Sequence, residues 1–164
     1  MKVLKWLDDK FEISICVVLM SAMTILIFIQ VVMRYVFSNS LSWSEELARY
    51  MFIWLIYLGV SYGAKIRKHI KIDAGLKLFP KKLRPNVVIL GDILFFLFAM
   101  YIVYTGYKYV LMQATLGKVS PALSIPYKYI YAAPFVGFIM VSIRQVQTIM
   151  YRVEKIKNGE EWED

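Results

Sequence analysis

The sequence predicts an all-α membrane protein: four transmembrane helices with both termini in the cytoplasm and a short amphipathic interfacial helix in the loop between helices 2 and 3. Three observations carry this expectation. Hydrophobic residues make up 59% of the 164 residues, and they lie in long blocks rather than in the interrupted patches of a soluble core. A hydrocarbon layer of roughly 30 Å needs about 20 apolar helical residues per crossing, and spans at about 13–37, 45–64, 86–112 and 124–151 meet that length. The basic residues are unevenly placed. The loop 65–85 holds eight (Lys65, Arg67, Lys68, Lys71, Lys77, Lys81, Lys82, Arg84) against the single acid Asp73, whereas 38–44 has no charge and 114–123 only Lys118. Short loops rich in Lys and Arg stay in the cytoplasm, so loop 65–85 lies inside and, with four spans, so do both ends.

The first span follows a basic, amphipathic start with Trp6, Leu7 and Phe11, residues suited to a membrane interface. The apolar run is too long for a signal peptide and lacks a small-x-small cleavage site, so it is expected to stay as a span. It closes near Arg34, Tyr35 and Phe37, where an arginine reaches headgroups and aromatics sit in the interfacial belt. Ser38, Asn39 and Ser40 then break the run. The second helix has a start signal in Ser42 and Glu45, spaced as a capping box. Glu45 and Glu46 face the positive end of the helix dipole, and Arg49 lies four and three residues beyond them, within same-face pairing distance. Gly59, Ser61 and Gly63 offer close-approach positions.

In loop 65–85, Ile66, Ile70, Ile72, Leu76, Leu78 and Phe79 alternate with lysines, the pattern of a helix lying in the interface. Pro80 and Pro85 punctuate the approach to the third span. That span carries Asp92 near its cytoplasmic end and Tyr101, Tyr104, Tyr107 and Tyr109 toward the outer one. Pro121 and Pro126 restrict the backbone before the fourth helix, and Pro134 lies inside it and should kink it near Gly137. Residues 152–164 read as a polar cytoplasmic tail. The whole chain forms one membrane domain, and no repeat relates its halves.

Chemistry is sparse. His69 is the one histidine and Cys16 the one cysteine, which excludes bis-histidine haem, a multi-histidine metal cluster and an intrachain disulfide. No phosphate-binding glycine loop is present, and no serine has a histidine partner in reserve for nucleophilic catalysis. The chain is therefore expected to be no enzyme and to need no cofactor. Its net charge of +8 is explained by the inner loop and flanks, so nucleic acid is not expected as a partner. Asp92 could mark an ion path, since intramembrane acids often do, but its shallow position favours a positioning role. His69 and Asp73, four apart, could meet on a helix face. Arg34, Glu45, Glu46 and Arg49 flank a turn of few residues, so a cross-helix cluster pairing Arg34 with Glu45 or Glu46 is expected there.

At these residues the chain resembles the small membrane subunit, the DctQ type, of tripartite ATP-independent periplasmic (TRAP) transporters. The similarity runs through Arg34-Tyr35-Val36-Phe37, then Ser42-Trp43-Ser44-Glu45-Glu46-Leu47-Ala48-Arg49-Tyr50, then His69-Ile70-Lys71-Ile72-Asp73, and Ser120-Pro121-Ala122-Leu123-Ser124-Ile125-Pro126 continuing through Tyr131 and Pro134. The resemblance implies a non-catalytic partner, in the bacterial inner membrane, of a large elevator-type subunit on a separate chain. It also implies a periplasmic binding protein, membrane lipids as surroundings, and sodium-driven uptake of an organic acid, with sialic acid ahead of C4-dicarboxylates. The residues expected to organise helices or meet a subunit are Arg34, Trp43, Glu45, Glu46, Arg49, Tyr50, His69, Asp73, Asp92, Pro121, Pro126 and Pro134. The competing readings are a stand-alone small four-helix exporter, against which the first span offers only Gln30 as a strongly polar group, and an unrelated structural tetraspan protein.

Overall fold

A computed structural model describes the backbone of residues 2–65, 80 and 83–157, with side chains described for 12–64, 80 and 83–157. Four helices account for nearly all of it: α1 (Lys2–Tyr35), α2 (Ser42–Lys65), α3 (Arg84–Leu116) and α4 (Tyr127–Lys157). Each contains a segment long and apolar enough to cross a membrane. At 1.5 Å per residue, α1 and α3 are about 50 Å long, so they continue past a hydrocarbon layer of roughly 30 Å. The expected interfacial helix, with His69 and Asp73, lies outside the described residues.

The connections follow from local chemistry. Ser38 adopts a left-handed backbone (φ 51°), and the Asn39 N–H turns back to the Met33 carbonyl at 3.0 Å, closing α1. The start of α2 differs from the predicted capping box. Ser42 is already helical, Ser44 Oγ donates to the Leu41 carbonyl at 2.7 Å, and the Glu45 carboxylate turns to α1 instead of to Ser42. Pro85 stands in the first turn of α3, where its missing N–H has no partner to lose. Gly117 ends α3 at φ 60°, a conformation that glycine takes without a Cβ clash. Beyond it Val119 and Pro126 form an antiparallel bridge, and this tight loop delays α4 to Tyr127 rather than the expected 124. The helix then runs unbroken through Pro134 to Lys157, so the first six residues of the expected tail 152–164 are helical. Lys155 and Lys157 in the last turn suit the negative end of the helix dipole.

Among the described residues the helices pack in the order α1, α2, α4, α3. The layout is a row with α1 and α3 at its edges rather than a closed bundle. Its core is thin: Ala64, Ala99 and Val141 are buried, with Val60, Phe95 and Phe138 against them. Phe138 is the hub of the row, its ring 6.2 Å from Tyr57 on α2 and 6.0 Å from Phe98 on α3. The tightest approach is at Gly137, where a Cβ would stand 2.7 Å from the Tyr57 Cβ and 3.0 Å from its carbonyl oxygen. Gly106 similarly lies under Phe135 of α4. The close approaches are thus at Gly137 and Gly106. Gly59, expected to be one, would place a Cβ in open space.

Candidate functional site

Polar side chains meet at both ends of the row. At the end carrying the α1–α2 and α3–α4 connections, the hairpin end, Glu46 is buried although it is an acid. Its Oε2 accepts the backbone N–H of Ala122 at 2.8 Å and of Leu123 at 3.2 Å, and its Oε1 accepts the Tyr50 hydroxyl. The loop that receives it is preformed. Ser120 N–H donates to the Ile125 carbonyl at 2.9 Å, Ser124 N–H donates to the Ser120 carbonyl at 3.0 Å, and Ser120 Oγ accepts Ile125 N–H at 3.1 Å. Successive amides presented this way form an anion-binding concavity, and Glu46 fills it from another hairpin. Its neighbour Glu45 points the other way. Glu45 Oε1 accepts Gln30 Nε2 at 2.5 Å and lies 3.6 Å from Arg34 Nη1, so it ties α2 to α1.

At the opposite, open end two acids meet two arginines of α4. Glu12 of α1 is only 2% exposed. Its Oε1 accepts Arg144 Nη2 at 3.2 Å, Arg144 Nε at 3.3 Å and Ser61 Oγ at 3.3 Å. One carboxylate therefore joins α1, α2 and α4. Asp92 of α3 accepts Gln145 Nε2 at 3.0 Å and pairs with Arg152. Counting 1.5 Å per residue from Tyr127, Arg144 stands about 26 Å and Arg152 about 37 Å along α4. Both pairs thus lie near the far boundary of a roughly 30 Å hydrocarbon layer, where guanidinium groups can reach headgroups.

The structure brings Arg34 to Glu45, and Glu46 and Tyr50 to the loop between Pro121 and Pro126. Asp92 is bound to Arg152 and Gln145. Trp43 is half exposed at the start of α2, and Pro134 sits inside α4. Arg49 is exposed, and among the described residues no ion pair joins it to Glu45 or Glu46, contrary to the expected same-face pairing. Those two acids are engaged by α1 and by the loop instead. Glu12, Arg144 and Gln145 were not predicted from sequence, and Ser61 and Ser120 were named there only as a close-approach position and as part of the family resemblance. A signal existed for two of them: Glu12 adjoins the first apolar block, and Arg144 is one of two charges within 124–151, the other being Lys128 at its start. Nothing in their spacing says that they meet, because 132 positions separate them.

Comparison with known proteins bears on what such a row of helices serves. The family model for the DctQ component of tripartite ATP-independent periplasmic transporters matches residues 23–155. The isethionate TRAP transporter permease protein DctMQ of Oleidesulfovibrio alaskensis is 31% identical over 92% of this chain, which spans 25% of that longer protein. The sialic acid TRAP transporter small permease protein SiaQ of Vibrio cholerae is 27% identical over 91% of this chain and 85% of its own length. The C4-dicarboxylate TRAP transporter small permease protein DctQ of the same organism is 37% identical over 46% of this chain and 33% of its own length. With the family model covering most of the chain and the transmembrane row intact beneath it, this protein belongs to the DctQ component family of tripartite ATP-independent periplasmic transporters.

Proposed function

We propose that this chain is the non-catalytic small permease subunit of a sodium-coupled TRAP transporter, and that it braces the stationary scaffold of a large elevator-type membrane subunit. One observation carries the reading most directly. Four acids of the membrane helices, Glu12, Glu45, Glu46 and Asp92, are each held by another helix or hairpin, whereas Glu154 near the end of α4 is exposed. Acids that carry an ion must exchange partners during the cycle, whereas acids held by arginines and backbone amides fix helices relative to one another. The isethionate relative supports the partner assignment, because a stretch like this one makes up a quarter of its longer permease. A large membrane subunit works beside these four helices, and a periplasmic binding protein delivers the cargo.

The cargo is a small organic anion. Sialic acid comes first and a C4-dicarboxylate next, since the sialic acid relatives match along 94% and 91% of the chain and the C4-dicarboxylate relatives along 46% and 66%. In this reading the open end lies in the cytoplasm and the hairpin end in the periplasm of a bacterial inner membrane, which the basic loop 65–85 supports. Reconstitution tests the reading. Proteoliposomes holding this chain and the large subunit, supplied with binding protein and an inward sodium gradient, should accumulate labelled sialic acid. Omitting any component should abolish uptake, and uptake by this chain alone would refute the assignment.

A further inference from the structure

Past Glu45, which reaches α1, the same face of α2 stays largely exposed among the described residues. Arg49, Phe52, Ile56, Gly59 and Gly63 are spaced three and four residues apart, so 3.6 residues per turn places them within an arc of about 100°. Arg49 is exposed, and Phe52 and Ile56 are 49% and 44% exposed. A Cβ at Gly59 would meet nothing within 4 Å. Ser61, whose hydroxyl meets Glu12 where α1 and α4 converge, lies about 150° around the helix from the middle of this arc. The free face therefore looks away from the closed side of the row.

Two features distinguish it from an ordinary lipid-facing stripe. Arg49 stands about 10 Å into a membrane-spanning helix and makes no ion pair among the described residues. A charge there is costly without an opposing group or a reach to headgroups. Glycine at position 59 lowers helix stability by about 1 kcal/mol relative to alanine, yet among the described residues nothing packs where its side chain would be. In the isethionate relative a stretch like this one is part of a permease four times as long, so the row has further membrane protein joined to it.

Building on the reading of the chain as a small permease subunit, we infer that this face of α2 is the docking surface for a transmembrane helix of the large subunit. That helix carries a carboxylate opposite Arg49 and approaches closely at Gly59. Phe52 and Ile56 form the apolar contact between the two. The edge helix α3, with Leu94, Leu97 and Tyr101 exposed, faces lipid.

The test uses the full chain co-expressed with its large subunit in bacterial membranes. A photo-crosslinking residue at position 52 or 56 should link to the large subunit, and one at 94 or 97 should not. Arg49→Glu should lower recovery of the large subunit by about tenfold, as expected for reversing one partner of a desolvated charge pair. Arg49→Lys should restore most of it. The thermal stability of the purified small subunit should not change in either variant, since Arg49 ties no helices together among the described residues. Crosslinks from 94 and 97 alone, or crosslinks from 52 and 56 to a second copy of this chain, would overturn the inference and leave the proposed function standing. Failure of the wild-type chain to recover the large subunit at all would overturn both.

Discussion

The two ends of the row use carboxylates in opposite ways. At the hairpin end Glu46 meets no basic side chain among the described residues and is satisfied by amides and a hydroxyl, so one hairpin is locked to the other through a loop backbone. At the open end Glu12 and Asp92 are matched by Arg144 and Arg152, long side chains from a single helix. The difference follows from what each end offers. The hairpin end has turns, whose amides are free to point at an acid. Glu12 and Asp92 at the open end sit within helices whose amides are bonded along the helix, and among the described residues their charge is compensated by side chains. α4 is consequently the member that ties the row together: it takes α3 through Asp92, α1 and α2 through Glu12 and Ser61, and meets α2 again at Gly137.

This contrast can be broken most severely at the open end. Arg144→Met strands Glu12 as a buried charge, and losing one partner of such a pair costs about 3–5 kcal/mol. The thermal midpoint of the detergent-purified chain should fall steeply. Adding Glu12→Leu should recover much of the loss, because the stranded charge is then gone. If Arg144→Met is no worse than the double variant, the pair is not a tie. A smaller effect is expected at the mid-row contact. Gly137→Ala pushes a methyl into Tyr57, and overpacking of this kind costs about 1–3 kcal/mol, readable as a lower midpoint and altered tyrosine fluorescence. The least effect is expected at the exposed hairpin tie. Arg34→Glu should shift stability by only about 0.2–1 kcal/mol, and Arg34→Glu with Glu45→Arg should restore assembly beyond either single reversal. Equal behaviour of the double and single variants would remove the pairing from the account.

The contrast also marks what could be read in advance. Span number and approximate position were legible because hydrophobicity is a local property of the sequence, and Arg34, Glu45 and Glu46 stood out because they crowd one short turn. Local spacing misled at Arg49 and at Ser42, where helical geometry permits a pair and a cap, and longer-range partners took the acids. Glu12 and Arg144 could not be matched, since their meeting depends on α1 and α4 converging on α2, which the order of spans does not specify. Gly59 and Gly137 look alike in sequence. Only the packing separates the glycine that touches Tyr57 from the one whose Cβ would meet nothing among the described residues.

The central claim is that the charges within these helices hold a scaffold and do not carry cargo or ions. Sodium-driven uptake per assembled complex tests it most directly, measured with Glu12→Gln and Arg144→Met combined with Asp92→Asn and Arg152→Gln. The account predicts uptake within about twofold of wild type wherever the complex still assembles, since removing both partners of a buried pair is often near neutral. A complex that assembles fully but no longer moves substrate would contradict it.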